Sequence, residues 1–343
     1  MKKEFIEKLI CPACKKYPLS LSWIDKEDWQ EIHKGTMRCQ ACGKEYPIKS
    51  GIAVLLDRME MQHQYVPGAI RKSSQPPIVN QEMVFERKAL AYRENLDKNW
   101  VMNSTANFDQ VFNHLQLTGS ENVLEIGAGT CWAIQRFAQR GCKCVAMDII
   151  DHHKLELADY WFKDKGVYFE RIIADMNQLI FRENTFDIVF SISSIMYSRD
   201  VLSAFREINR VLKPYGKMIL ISEPRLPFYW QRSVYKRLGS GNAYTTFEWY
   251  SFIRKSGFKV VKNFFAQSTR MRFNNPELID QKDRWYYLVA KFLSPLWKMR
   301  FLRVLNLDGY SRLFSNFIPL PLMIIAVRER RTRRILFRKR RYS

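Results

Sequence analysis

The sequence predicts an α/β protein in which helices cover both faces of a mostly parallel sheet, preceded by a small metal-binding domain. Three observations support this prediction. Helix-like and strand-like segments alternate from residue 122 onward, an apolar strand runs into a glycine turn in VLEIGAGTCW (residues 123–132), and four cysteines near the N-terminus form two C-x-x-C pairs. With 343 residues, the chain has room for one large and one small domain.

The N-terminal cysteines have the spacing of a metal site. Cys11 and Cys14 form the first pair, and Cys39 and Cys42 form the second. Each C-x-x-C lets two thiolates face one ion, and four sulfurs complete the tetrahedral shell of a structural Zn²⁺ site. The alternative is a pair of disulfides or unligated buried thiols. A redox role requires a βαβ context, which the surrounding residues do not predict.

The segment around these cysteines resembles the zinc-ribbon domain of the tRNA-methyltransferase activator type. The resemblance covers residues 5–57 and is specific in its ending, YPIKSGIAVLLD. The long stretch WIDKEDWQEIHKG between the pairs departs from the pattern. The resemblance implies a ribbon domain over residues 1–58 that supports a methyltransferase. Residues 59–80, rich in Gln, Pro and Ser, are predicted to be a linker.

The predicted core spans residues 81–267 and is completed by a last strand within 318–328. Its alternation of elements is typical of a parallel sheet with helices on both faces. The predicted strands cover residues 122–126, 143–147, 168–173, 186–191, 217–222, 258–264 and 321–327. The predicted helices cover residues 131–140, 152–161, 200–212 and 245–256.

Two nucleotide-binding motifs place a glycine turn after the first strand. A dinucleotide fingerprint, G-x-G-x-x-G, needs a third glycine for close packing of helix on strand, and Trp132 occupies that position. The other motif is E/D-x-G-x-G-x-G. The chain has this turn as Glu125, Gly127, Gly129 and Cys131. Residues 121–225 thereby resemble a class I S-adenosylmethionine-dependent methyltransferase of type 11. This resemblance implies a Rossmann-like, seven-stranded sheet and S-adenosylmethionine as the cofactor.

Acidic residues after the next two strands extend the resemblance. Asp148 ends the second strand, where an acid can accept hydrogen bonds from both ribose hydroxyls. Asp175 follows the third strand, where the family places an acid near the adenine amino group. The resemblance extends the cofactor site to the neighbouring Ile149 and Met176, and to Ser191 in the fourth strand. As an alternative, both aspartates cap helices.

The chemistry that the family carries out needs little from the protein beyond placement. A sulfonium methyl group is already activated, so proximity and orientation supply much of the rate, and a base is optional. The catalytic candidates are Glu223, which ends the fifth strand, and Tyr197, which follows the fourth. The alternative for Glu223 is a solvated carboxylate or one paired with Arg225. The fourth strand is not followed by the D/N-P-P-Y/F/W motif of base-amine methylation.

The net charge of +22 is concentrated in the last third of the chain. Residues 228–343 carry 25 basic and 6 acidic side chains, which predicts a polyanionic partner, either nucleic acid or an anionic membrane surface. Residues 268–317 form an amphipathic basic insertion, predicted to be a lid or a membrane contact. Residues 329–343 form a polybasic tail. A merely solvated basic face remains the alternative.

The sequence also predicts where the protein acts. Glu4 and Glu7 interrupt the apolar run that a secretory signal needs, and the longest uncharged run near the C-terminus, residues 313–327, contains two prolines. A cytoplasmic protein is expected, with peripheral contact to the inner membrane face. The density of aromatic residues beside the basic ones favours a lipid, a lipid-linked glycan or another small hydrophobic molecule as methyl acceptor, at an oxygen or nitrogen atom. An rRNA or tRNA methyltransferase and a non-catalytic binding module are the alternatives.

Overall fold

The structure is a computed structural model, and it describes residues 1–56, 98–149, 155–156, 158–223, 225–226, 242–264 and 322–329. The predicted linker, the basic insertion and all but the first residue of the polybasic tail lie outside these ranges. Within the described part of the chain, no helix is both long and apolar enough to cross a bilayer.

The N-terminal domain folds as an antiparallel sheet behind a short 3-10 helix at Lys3–Lys8. Apolar side chains alternate with exposed ones along its second strand, which places one face of the sheet against the core. Its strands are β1 (Leu19–Glu27), β2 (Ile32–Cys39), β3 (Glu45–Lys49) and β4 (Ile52–Val54).

The core sheet has the strand order β7-β6-β5-β8-β9-β13-β12. The first five of these strands run parallel, whereas β13 is antiparallel to both of its neighbours. The strands are β5 (Asn122–Ile126), β6 (Lys143–Asp148), β7 (Glu170–Ile173), β8 (Phe186–Ile192), β9 (Leu212–Glu223), β12 (Phe258–Asn263) and β13 (Leu322–Arg328). A separate parallel pair joins β10 (Arg225–Leu226) to β11 (Tyr244–Thr245). The predicted seven-stranded α/β sheet is confirmed.

Helices cover both faces of this sheet. They are α1 (Lys98–Phe112), α2 (Ile134–Ala138), α3 (Ala158–Lys165), α4 (Val201–Val211) and α5 (Thr246–Lys255). Local sequence fixes two of the starts: the Asp200 side chain accepts from the Leu202 amide, and Thr245 forms a capping box with Glu248. The second helix begins at Ile134 rather than at the predicted residue 131, because Cys131 has a left-handed backbone, with φ 62°.

The N-terminal sheet and the core sheet are continuous. Strand β4 pairs in parallel with β7, with Ile52 opposite Arg171 and Val54 opposite Ile173, so one sheet of eleven described strands runs through both domains. The sequence does not predict this junction. The domain boundary expected at residue 58 lies outside the described residues and stays a prediction.

The knuckle of the first cysteine pair is held by the core. The Ile10 amide donates to the Ile180 carbonyl over 2.8 Å, and the Arg182 amide donates to the Lys8 carbonyl over 3.0 Å. The side chain of Gln178 donates to the Pro12 carbonyl over 2.8 Å. These contacts tie the metal-binding knuckle to the segment that follows β7, close to Asp175.

Candidate functional site

The candidate site lies where the parallel strands of the core end. Because β5, β6, β7, β8 and β9 share one direction, their carboxyl ends meet at one edge of the sheet. Open α/β sheets bind ligands in the crevice at this edge. The glycine turn, Asp148, Asp175 and the segment after β8 are all brought to it, as the sequence predicts.

The glycine turn has backbone angles that residues with a side chain rarely adopt. Gly127, Gly129 and Cys131 all have positive φ angles, of 74°, 52° and 62°. A Cβ on Gly127 would overlap the side chain of Ser194, whereas a Cβ on Gly129 would meet nothing within 4 Å. The space in front of Gly129 is therefore open to a ligand. Cys131 has a left-handed backbone like that of a glycine, and its side chain is fully buried. It therefore shapes the turn from the core side.

Glu125 supports the turn rather than facing the crevice. Its side chain is buried, and Oε2 accepts a hydrogen bond from the Ile134 amide over 3.0 Å. Burial raises the pKa of this carboxyl well above its usual range. The contact joins the end of β5 to the first residue of α2 and fixes the path of the residues between them.

Asp148 lies directly against the glycine turn. Its Oδ2 accepts from the Gly129 amide over 2.8 Å, and its Oδ1 accepts from the Ile149 amide over 2.7 Å. The carboxylate is half-buried, so the crevice can reach it. The structure thus brings together three residues predicted for the cofactor site from two different strands.

Asp175 has a partner that the sequence did not suggest. Its Oδ1 accepts from the Asn177 amide over 2.8 Å, and its Oδ2 lies 2.6 Å from Nη2 of Arg199. Arg199 comes from the segment after β8 and is 41% exposed. Met176, the predicted apolar neighbour, is 7% exposed. A ligand that uses Asp175 therefore meets Arg199 at the same place.

Glu223 is fully buried at the end of β9. Its Oε1 accepts from the Ser191 hydroxyl and from the amides of Ser194 and Ile195, and its Oε2 accepts from the Met196 amide. Ser191 is itself buried and thus supports Glu223. With both oxygens occupied and no exposed surface, the geometry gives no support to the predicted role of Glu223 as a catalytic base. Nor is it the solvated carboxylate of the alternative prediction.

Tyr197, the other catalytic candidate, ends a 3-10 turn at Ile195–Tyr197 and is partly buried. Burial, together with the nearby Glu223 carboxylate, raises the pKa of its phenol. The tyrosine stands at the carboxyl edge of the sheet, as predicted, and its catalytic role stays a prediction.

The four predicted zinc ligands form one cluster. The sulfurs of Cys11, Cys14, Cys39 and Cys42 all lie within 4.8 Å of one another. The Cys11–Cys42 and Cys14–Cys39 sulfur pairs are each 3.6 Å apart, which matches the edge of about 3.8 Å expected for a tetrahedron with Zn–S bonds of about 2.3 Å. A structural Zn²⁺ therefore fits this donor set. Tyr46 adds a contact of 3.1 Å between its hydroxyl and the Cys11 sulfur.

The zinc knuckles lie at the same edge of the sheet as the crevice. Because β4 runs parallel to β7 while β1 to β4 alternate in direction, the start of β1, the end of β2 and the start of β3 all lie at the edge where β7 ends. The turn between β1 and β2 lies at the opposite edge. The first domain therefore presents its metal-binding end beside the candidate cofactor site.

Two different known families match the N-terminal domain and the core domain. Residues 124–220 match the family described as a methyltransferase domain. The chain contains a methyltransferase domain. Residues 2–51 match the family described as Trm112p-like protein. The predicted type of both domains is confirmed, and a class I methyltransferase fold binds S-adenosylmethionine, the predicted cofactor.

Individual relatives match about a third of the chain. The sterol 4-C-methyltransferase of Caenorhabditis elegans is 30% identical over 108 residues, which cover 31% of this chain and 32% of that protein. The demethylmenaquinone methyltransferase of Corynebacterium glutamicum is 32% identical over 124 residues, which cover 36% and 50%. The chain thus spans half or less of the length of these curated relatives.

Solved structures resemble a larger part of the chain. A geranyl diphosphate methyltransferase in complex with GPP and sinefungin has 15% identity and a TM-score of 0.48, and the match covers 65% of this chain and 78% of that one. A complex that contains the Trm112 methyltransferase activator of Haloferax volcanii has 15% identity and a TM-score of 0.47, covering 74% and 100%.

Proposed function

We propose that this protein is an S-adenosylmethionine-dependent methyltransferase whose acceptor is a lipid, a lipid-linked glycan or another small hydrophobic molecule at the inner membrane face. The observation that carries the assignment of S-adenosylmethionine is the contact between Asp148 and Gly129. It places a carboxylate beside a glycine turn with open space in front of it. This is an arrangement that admits a nucleoside ligand to the backbone.

Each cofactor-site residue has a proposed task. Gly127 and Gly129 let the backbone approach the ligand, and Asp148 accepts from the ribose hydroxyls. Asp175 and Met176 receive the adenine, with Ile149 beside them. Glu125, Cys131 and Ser191 are buried, and they support the residues that contact the ligand. When bound, S-adenosylmethionine supplies a methyl group that is already activated toward displacement. The protein then has to orient the acceptor in line with that methyl group and keep water out.

The acceptor class is supported by the relatives and by composition. The names of the relatives specify a sterol and demethylmenaquinone, which are hydrophobic molecules. The sequence between residues 268 and 317 mixes Trp, Phe and Leu with Arg and Lys, as in segments that rest in a membrane interface. We propose oxygen or nitrogen as the methylated atom. The sterol relative is named for methylation at carbon. Mass spectrometry of the labelled product therefore has to identify the methylated atom.

The test is methyl transfer from labelled S-adenosylmethionine to two pools, a total lipid extract and total RNA from the source cells. Label in a chloroform-soluble product, identified by mass spectrometry, is the expected result. Sedimentation with anionic vesicles should accompany it and should weaken with salt. Label in RNA instead, with binding that falls steeply with salt, would overturn the lipid assignment.

RNA methylation is the second candidate, and one observation favours it. The N-terminal domain matches the Trm112p-like family, which the sequence resemblance connects with activators of tRNA methyltransferases. The last third of the chain is also strongly basic, and basic charge alone serves RNA as well as lipid. The non-catalytic alternative predicts that the intact, zinc-loaded protein does not bind S-adenosylmethionine, which calorimetry measures directly.

A further inference from the structure

The loop that follows β8 is held from beneath by one carboxylate. Glu223 accepts from the amides of three consecutive residues, Ser194 over 3.0 Å, Ile195 over 3.1 Å and Met196 over 3.1 Å. A fourth donor, the Ser191 hydroxyl, lies 3.2 Å from the same group. Because the carboxylate has no solvent exposure, water cannot replace it as the partner of these amides. Loss of the carboxylate would leave these amides without a partner, which destabilises the loop.

The same loop touches the cofactor crevice at two corners. At one corner, the side chain of Ser194 packs against Gly127, and its hydroxyl lies 3.4 Å from the Gly127 carbonyl. At the other corner, Arg199 reaches Asp175. Asn177 completes this second corner by donating to the Ser198 hydroxyl and accepting from the Arg199 amide. Displacement of residues 194–196 would therefore move partners of both the glycine turn and the adenine corner.

We propose that Glu223 is a positioning residue for the cofactor crevice, which acts by clamping residues 194–196 so that Ser194 abuts Gly127 and Arg199 meets Asp175. This inference rests on the proposed function, because it assigns Glu223 a task in forming the S-adenosylmethionine site. The clamp also sets the place of Tyr197, which lies one residue beyond the last clamped amide.

The clamp depends on an ionised carboxyl group. Oε1 already accepts from three donors and Oε2 from one, so a proton is best accommodated on Oε2, where it would face the Met196 amide and remove that hydrogen bond. Burial raises the pKa of Glu223 to about 7, although the amide donors act to lower it. Among the described residues, the titratable group that faces it is Tyr197. The clamp is consequently complete above pH 7 and loosens as pH falls through that value.

The experiment measures binding of S-adenosylhomocysteine by calorimetry from pH 8.5 to pH 6 for the wild type, Glu223→Gln and Glu121→Gln. Glu121 is the matched control, since its carboxylate also accepts from loop amides, those of Thr118 and Gly119, but at the opposite edge of the sheet. Wild-type affinity should fall about tenfold toward pH 6. Glu223→Gln should bind about tenfold more weakly at pH 8.5 and show a flat pH profile. Glu121→Gln should follow the wild type in both affinity and pH profile.

The outcomes separate this inference from the proposed function. No binding by the wild type at any pH would overturn the proposed function itself. Normal wild-type binding with an unchanged Glu223→Gln profile would overturn the clamp alone. If Glu223→Gln does not fold, Glu223→Asp provides the second variant. Asp keeps the charge but shortens the side chain by one methylene, and amide hydrogen exchange at residues 194–196 should then accelerate relative to that at Gly119. Equal protection of these amides in Glu223→Asp and wild type would contradict the clamp.

Discussion

Arg171 of the methyltransferase domain donates from Nη2 to Oε1 of Glu31 in the Trm112p-like domain over 2.7 Å, with both side chains buried. The same guanidinium reaches Asp159 over 2.6 Å, and Glu31 also receives the Met1 ammonium group over 2.6 Å. This network lies beside the pairing of β4 with β7. It therefore links the two domains at the point where their sheets become one.

Breaking this ion pair should destabilise the whole chain. Arg171→Met leaves Glu31 buried with one partner fewer, and removal of one member of a buried pair costs about 3–5 kcal/mol. Urea unfolding should show that loss as one transition in which both domains unfold together. Lys3→Ala is the control, since its ion pair with Glu27 is exposed and is worth at most about 1 kcal/mol. Separate transitions for the two domains would contradict the link.

Glu170 should make stability depend on pH. Burial raises its pKa to about 7, although the Met1 ammonium group and the Lys2 amide act to lower it. A folded-state pKa above the usual value means that this group stabilises the fold most at low pH, and that the contribution is lost as pH rises from about 4.5 to 7. The shift corresponds to about 3 kcal/mol. Relative to Glu170→Gln, the wild type should lose that much unfolding free energy between pH 5 and pH 8. Parallel curves would refute the assignment.

Loss of zinc should weaken ligand binding at the cofactor site. Cys39→Ala removes one of the four ligands, and the first knuckle is hydrogen-bonded to residues 178–182, which follow Asp175. Metal content should fall, and S-adenosylhomocysteine affinity should drop about tenfold as that segment loosens. Cys144→Ala is the control, because its thiol lies in β6, away from the metal cluster. Full affinity after loss of zinc would show that the ribbon does not support the crevice.

Asp148→Asn tests the predicted ribose contact. The amide oxygen of the variant can still accept from the Gly129 amide, but its amide nitrogen cannot accept from the Ile149 amide, and the charged acceptor is gone. Hydrogen bonds to a charged group contribute about 1.5–3 kcal/mol, so calorimetry should show a loss of about 10- to 100-fold in cofactor affinity. The matched control is Asp187→Asn, whose carboxylate binds the Asn122 amide and Lys213 at the other edge of the sheet. Comparable losses in both variants would argue against a specific role for Asp148.

The sequence predicted the strands well because their apolar runs are bounded by glycine turns and acidic residues. The strand predicted at residues 122–126 has those bounds in the structure. The left-handed backbone of Cys131 was missed, because the helix predicted at residues 131–140 began at this residue, although Cys131 replaces a glycine of the motif. The pairing of β4 with β7 was not predicted, because a strand of three residues, Ile52–Val54, carries no periodicity that specifies a partner.

Side-chain environments at the site were harder to predict than the backbone. Glu223 stands at the predicted strand end, but its burial under residues 194–196 depends on how the chain returns after β8, which no local pattern encodes. The Arg199 contact with Asp175 likewise joins two loops that are 24 positions apart in sequence. Motif spacing thus located the crevice, whereas the partners of its carboxylates required the folded structure.

The central claim, that the turn at Gly129 receives the cofactor, is tested most directly by one matched pair of variants. Gly129 and Gly166 both have positive φ angles, and a Cβ at either would meet nothing within 4 Å. Alanine at either position should therefore cost a similar backbone strain of about 1–2 kcal/mol. Calorimetry with S-adenosylhomocysteine should show at least a tenfold loss of affinity for Gly129→Ala and wild-type affinity for Gly166→Ala. Wild-type affinity in a folded Gly129→Ala variant would contradict the claim.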